Sequence, residues 1–306
     1  MTLALSRAYQ KVVIATLRPY TLRQLPGWGR LYNRLAAWEQ NDRWTGAPTV
    51  EMRHRDHGYV TLLDLTKWAD RLTYFLGRWS DIAIQTAVKE LVKPSDTIVD
   101  IGANRGDFSL FASSVVPQGK VISFEPNPVC RGRLIETIER NSIRNIAVQP
   151  FGLSDQPAEL TLYIPAYNDG EATFAGEGAF DPNQTKAVTA EVRVGDNALC
   201  SERIALIKLD VEGFELHALK GLTETFNRDR PPLIIEIARK HLARAGSSPE
   251  QVISYIESLG YSGRMLGIQR SNGHHRFKLE ALPKGDEGYD ALFLHKDDPR
   301  ASFLTA

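Results

Sequence analysis

The chain has 306 residues, 42% of them hydrophobic and 24% charged, with Lys plus Arg and Asp plus Glu equal at 37 each. That length holds one large domain with extensions or two small ones; the balanced charge gives no general argument for nucleic-acid binding, and no apolar run approaches the length of a membrane span. Two cysteines, Cys130 and Cys200, speak against a disulfide framework and fit a reducing compartment such as the cytoplasm.

Residues 1 to about 45 read as helical pieces without strand periodicity. Arg7, Lys11, Arg18, Arg23, Arg30, Arg34 and Arg43 face only Glu39 and Asp42, so the segment is basic within a neutral chain. Apolar Leu3, Val13, Leu17, Leu31, Leu35 and Trp38 recur among the charges. Two readings stay open. One is a helical cap docking on its own fold or on a partner's, a second copy of the chain included. The other is an arm touching an anionic membrane surface or a lipid-linked substrate. Pro19 and Pro26-Gly27 are expected to break the helices. No secretion signal is expected, since Val12–Ala15 is too short for a signal core and Arg18 and Pro19 follow closely.

Residues 50 to about 66 alternate as a short hairpin with Gly58 near its turn. A helix over 82–92 follows, with Ser80 or Asp81 as its cap, and Pro94 ends it. From residue 97 strands and helices alternate. Strands are expected at 97–100, 121–125, 146–151, 204–210, 232–237, 261–266 and 290–295, and helices at 106–115, 128–142, 212–226 and 249–259. Near-continuous apolar strands in this alternation predict a parallel sheet covered by helices on both faces. Residues 158–194 interrupt the rhythm with two alternating strands around a polar loop, an insertion of the kind that forms lids.

The most informative stretch is Thr97-Ile-Val-Asp100-Ile-Gly102-Ala-Asn104-Arg-Gly106-Asp-Phe-Ser-Leu110. It reads as an apolar strand ending in an acid, a glycine turn and a helix start, which sets backbone N–H groups beside a bound nucleotide. About 20 residues on, a second strand ends in Glu125, placed to accept bonds from ribose hydroxyls. The loop lacks the middle glycine of a dinucleotide fingerprint, and no G-K-[ST] follows. Both absences favour S-adenosylmethionine, which carries no phosphate, over a nicotinamide dinucleotide or a nucleoside triphosphate.

Val99-Asp-Ile-Gly-Ala-Asn-Arg-Gly106, Phe124-Glu-Pro-Asn-Pro128, Gly152-Leu-Ser-Asp155, Ile207-Lys-Leu-Asp-Val-Glu-Gly-Phe-Glu215 and Leu233-Ile-Ile-Glu236 together resemble the FkbM family of S-adenosylmethionine-dependent methyltransferases over roughly residues 50 to 295. The resemblance implies a class I methyltransferase (Rossmann-like) fold, an α/β seven-stranded sheet with helices on both faces and the last strand antiparallel. It also implies O-methylation of a hydroxyl on a sugar, glycan, glycolipid or small natural product. On that reading residues 1–49 are an N-terminal helical extension, 50–96 lead into the core, and 97–300 form the methyltransferase domain.

Eleven residues become site candidates. Asp100, Gly102, Asn104 and Gly106 border the methionine end of the cofactor, with the glycines supplying conformation. Glu125 is assigned to the ribose and Asn127 to the ribose or the adenine edge. Ser154 and Asp155 stand where adenine is read, although a plain turn explains them equally. Asp210, Glu212 and Glu236 end strands at the carboxyl edge of the sheet and are the candidate bases, with His241 a weaker one. Glu215 is read as a helix N-terminal charge and His217 as structural. Trp68, Tyr74, Phe75 and Trp79 serve equally as an acceptor wall or as a hydrophobic plug under the sheet. His274-His275 lack acids at ligand spacing. Asp210 and Glu236 could hold a divalent ion, but no metal is assigned. A non-catalytic cofactor-binding or scaffold protein is the alternative from another class.

Overall fold

The computed structural model describes residues 3–166, 168–175, 177–178, 180–271 and 274–304. The chain divides into two compact units, Met1–Asp81 with Glu139–Ser142, and Ile82–Ile138 with Ile143–Ala306.

The first unit comprises α1 (Leu3–Leu22), α2 (Trp28–Leu35), a 3-10 turn (Trp38–Trp44), the antiparallel pair β1 (Thr49–Arg53) and β2 (Val60–Asp64), and α3 (Trp68–Leu76). Helix α1 runs through Pro19 instead of stopping there. The N–H that proline lacks is lost near the helix end, and the last turn is anchored by Thr21, whose Oγ1 donates to Phe75 O at 2.6 Å. Phe75 is fully buried and meets Tyr32, Trp44 and Tyr74 edge-on, with ring centroids 5.7–5.9 Å apart. Tyr74 and Phe75 therefore belong to this unit's own core. Arg71, wholly buried, donates to the carbonyls of Ala36, Ala37, Leu65 and Thr66 and so ties α2 to β2. In the β1–β2 turn His54 and His57 stack at 4.3 Å beside Asp56. His57 Nδ1 accepts from Tyr59 N–H, so a neutral ring keeps its proton on Nε2, toward the carboxylate. His54, Asp56 and His57 offer donor atoms within 4.8 Å of one another.

The second unit is built on eight strands in the order β5-β4-β3-β9-β10-β13-β11-β12. They are β3 (Thr97–Ile101), β4 (Lys120–Phe124), β5 (Ile146–Gln149), β9 (Leu206–Leu209), β10 (Leu233–Ile237), β11 (Tyr261–Ser271), β12 (His274–Glu280) and β13 (Tyr289–His295). Strands β5, β4, β3, β9 and β10 are parallel, and β13 enters antiparallel between β10 and β11. Burial explains the central strands: every residue of β9, and four of five in β3 and β4, is buried, which only near-continuous apolar sequence tolerates. Strand β12 adds an eighth member to the expected seven; it pairs antiparallel with β11 and contains the His274-His275 pair that reads as a loop in the sequence. Three further strands, β6 (Gly152–Ser154), β7 (Ala158–Pro165) and β8 (Thr185–Val194), form a separate sheet in the order β6-β8-β7. The strand expected over 146–151 thus ends at Gln149, and the insertion hairpin gains β6 as a third member.

Helices α4 (Ile82–Leu91), α5 (Asp107–Val115), α6 (Pro128–Arg140), α7 (Gly195–Ala198), α8 (Glu215–Lys220), α9 (Thr223–Asp229), α10 (Arg239–Arg244) and α11 (Pro249–Ser258) complete the fold. The single helix expected over 212–226 is two, α8 and α9, broken at Gly221. A Cβ on Gly221 would stand 2.0 Å from Ser154 O, so the break lets the chain pass close to β6.

Candidate active site

A recess at the carboxyl ends of β3, β4 and β9 is lined by Gly102, Asn104, Glu125, Asn127, Asp210 and Glu212, with apolar walls that include Phe124, Leu153 and Phe174. The recess, a slot, spans about 640 Å³ with the open solvent at its mouth included. Leu162, Gly170, Ala172 and Phe174 come from the insertion, which walls one side. Thr173 Oγ1 fastens that wall by donating to Glu212 O at 2.8 Å.

The glycine loop is shaped by its neighbours as much as by any ligand. Gly102 has φ +85°, and a Cβ there would lie 1.7 Å from Asp210 O, so the β3 and β9 loops touch backbone to backbone. Gly106 also has positive φ, but it lies off the slot lining, and its missing Cβ admits Leu134 of α6. Asn104 is itself left-handed, at φ +53°.

Glu125 is 6% exposed and holds the loops together: Oε2 accepts from Asn104 N at 2.6 Å and Oε1 from Asn127 N at 2.7 Å. Burial pushes its carboxyl up to about 7 against the pull of those N–H groups. Each oxygen keeps lone-pair capacity for a hydroxyl. Asn127 lines the slot, but its Oδ1 caps α6 through Val129 N at 3.0 Å and its Nδ2 faces Cys130 Sγ. Asp100 is fully buried outside the slot lining, bonded to Ser109 Oγ, and burial raises its carboxyl to about 6. Ser154 and Asp155 also lie off the lining; Asp155 Oδ1 takes Ser154 Oγ and His217 Nδ1, and His217 stacks on Phe214 at 4.4 Å.

The acids of β9 and β10 converge. Asp210 Oδ2 accepts from Lys208 Nζ at 2.8 Å. Burial opposes the charge of Lys208, but Asp210 and Asp100 outweigh it and raise the ammonium above its ordinary value. Glu212, left-handed at φ +54°, sets Oε2 2.7 Å from His241 Nδ1, and Glu236 Oε2 is 3.9 Å from the same nitrogen. The bond to Glu212 raises the imidazole above 6.5, while burial raises Glu212 itself. Charge from Asp210, then burial, then Glu212 push the carboxyl of Glu236 up to about 10, so it holds its proton at neutral pH. Glu212, Glu236 and His241 offer donor atoms within 4.8 Å of one another, a set that a divalent ion could use. Glu215, read as a helix-end charge, is instead buried, its Oε1 accepting from Val211 N and Gly213 N.

The sequence points to the insertion as a lid but not to which of its residues line the slot, and it marks His241 only as a weaker base. Phe174, an aromatic in a polar loop, was the available signal. The meeting of Glu212 with His241 has none, because the loop after β9 and helix α10, distant in sequence, bring them together.

A parallel sheet with antiparallel β13 and β12 toward one end, a glycine loop after β3 and acids closing β4 and β9 define a class I, Rossmann-like methyltransferase fold. The family profile described as the methyltransferase FkbM domain matches residues 100–262, more than half of the chain, and the chain belongs to this family. It is 32% identical over 196 residues to methyltransferase sdnD of Sordaria araneosa, covering 51% of this chain and 74% of that one. It is 26% identical over 184 residues to the hexuronic acid methyltransferase AglP of Haloferax volcanii, covering 59% and 70%. Among solved structures, a methyltransferase FkbM from Methylobacillus flagellatus superposes with a TM-score of 0.44 at 18% identity, covering 74% of this chain and 53% of that one.

Proposed function

We propose that the chain is an S-adenosylmethionine-dependent O-methyltransferase acting on a hydroxyl of a sugar, glycan, glycolipid or small natural product. The observation that carries this is the slot itself: Glu125 lies in the same lining as Asp210 and Glu212, whose neighbours are Glu236 and His241. The slot's chemistry fits the nucleoside. Glu125 is a buried acceptor for ribose hydroxyls, Phe124, Leu153 and Leu162 suit a flat apolar base, and the lining has no Lys or Arg among the described residues.

When bound, S-adenosylmethionine supplies a methyl group already activated by its positive sulfur. The protein's work is alignment and proton handling. Alignment alone is worth roughly 7–11 kcal/mol when reacting atoms are well oriented. Glu125 and the Gly102–Asn104 backbone fix one end, and the insertion wall excludes water. The Glu212–His241 pair receives the proton of the acceptor hydroxyl, a function worth about 10²–10⁴ in rate. Asp210, paired with Lys208, keeps a negative charge near the reacting centre. Glu236 holds a proton and so can donate a hydrogen bond to an acceptor oxygen. AglP, by its name, acts on a hexuronic acid, which supports a carbohydrate acceptor.

Calorimetry with S-adenosylmethionine, its demethylated product and NAD tests the cofactor. Binding of the first two is expected, weakened about 10-fold or more in Glu125→Ala; binding of NAD alone would refute the reading. A panel of glycans and lipid-linked sugars with labelled methyl donor then tests the acceptor. Failure with every member would favour a non-catalytic binding protein.

A further inference from the structure

Helix α1 docks Val13 and Leu17 in its unit's core and carries further apolar side chains on a face turned away from it. Its buried residues are Ser6, Gln10, Val13, Leu17 and Thr21, three of them polar. Gln10 Nε2 donates to the carbonyls of Arg43 and Thr45, and Thr21 Oγ1 donates to Phe75 O. Leu5 and Val12, by contrast, stand 61% and 62% exposed. Taking Leu5 as origin and about 100° per residue, the buried residues fall at roughly 80–160°, Arg7, Lys11 and Arg18 at roughly 200–240°, and Leu5, Ala8, Val12, Ala15 and Pro19 at roughly 280–360°. The helix thus carries a docked stripe, a basic stripe and an outward apolar stripe, side by side.

Two more observations concern the same unit. Ala15 and Pro19 belong also to an open groove of about 930 Å³, solvent at its mouth included, whose lining includes Arg18, Arg23 and Arg55. The unit holds 13 Lys and Arg against 8 Asp and Glu, a surplus of five positive charges, while the other unit holds 24 against 29. Apolar side chains flanked by a basic row complement an interface that is apolar beneath and anionic on top.

We infer that α1 seats the first unit on an anionic lipid bilayer, with Leu5 and Val12 in the headgroup–acyl boundary and Arg7 and Lys11 on the phosphates. The contact is peripheral, since no helix among the described residues is long and apolar enough to cross a membrane. The inference does not rest on methyl transfer, and its test reads no activity.

The test is co-sedimentation of the full chain with phosphatidylcholine vesicles, with and without phosphatidylglycerol. Binding is expected to need the anionic lipid and to weaken with salt. Arg7→Gln with Lys11→Gln should reduce it roughly 5-fold per charge. Leu5→Gln with Val12→Gln should reduce it roughly 10-fold or more. All four positions are exposed, and circular dichroism checks that each pair folds. Absence of binding, equal binding to neutral vesicles, or indifference to both pairs would overturn the inference. So would displacement by inorganic phosphate well beyond that by chloride at the same ionic strength, which would make the arginines a phosphate site. A dimer, seen by light scattering, that Leu5→Gln with Val12→Gln dissociates would put a second copy on the stripe and also overturn it.

Discussion

His241 takes its character from Glu212, 2.7 Å away, and the pair gives the site a definite pH dependence. The imidazole is raised above 6.5 first by that bond, so the proton-accepting form appears only as pH climbs past the raised value. Turnover should therefore rise along an acidic limb lying above 6.5. Glu212→Gln removes the charge that holds the proton; the limb should move to lower pH and the maximal rate fall by about 10²-fold or more. A pH–rate profile of both proteins decides this, and an unmoved limb would take the titration away from the pair. Glu215 offers a stability test of opposite sign to the usual carboxylate. Burial raises it from 4.5 to about 7, so the folded state resists its ionisation. Stability is then present below 4.5 and lost as pH rises to about 7. Gln at this position keeps an oxygen for Val211 N and Gly213 N without the charge. Melting temperatures of Glu215→Gln should fall less across that window than those of the parent and be higher at pH 8; parallel curves would contradict the assignment. None of this was legible in the sequence, where Glu215 looks like any acid opening a helix. Glu125, in contrast, stands out because a strand's apolar run ends on it.

At the scale of elements, the central strands are legible because burial on both faces demands unbroken apolar sequence: Ile98, Val99 and Ile101 of β3 and Leu206, Ile207 and Leu209 of β9 are all fully buried. The elements misread are those whose ends depend on tertiary contact. Strand β5 stops at Gln149 because the next residues pair in another sheet, and α8 stops at Gly221 because β6 passes beside it. Strand β12 carries too many polar residues to announce itself and is defined by its ladder with β11. The contact of Gly102 with the Asp210 carbonyl joins two loops and can be probed directly. Gly102→Ala places a methyl at φ +85° against a backbone oxygen 1.7 Å away, and the loops must part. Denaturant unfolding should show a loss of about 3 kcal/mol or more, together with weaker binding of the nucleoside. An alanine variant as stable as the parent would mean that the loops are not pressed together there.

For the molecule as a whole, composition was a poor guide because it averages. A basic N-terminal segment was visible residue by residue, and the Pro19 break read there proved to be continuous helix. Which face of that helix meets its own unit was not visible, since Ser6, Gln10 and Thr21 are buried where Leu5 and Val12 are not. The two units carry surpluses of five charges of opposite sign that cancel in the total. An isoelectric point of about 7.1 therefore describes a zwitterion on the nanometre scale, not an electrically bland particle. At neutral pH such a protein is expected to adsorb to cation- and anion-exchange resins alike, and in dilute buffer the basic unit of one molecule should attract the acidic unit of another. Added electrolyte, by quenching that mutual attraction, should make it more soluble instead of less.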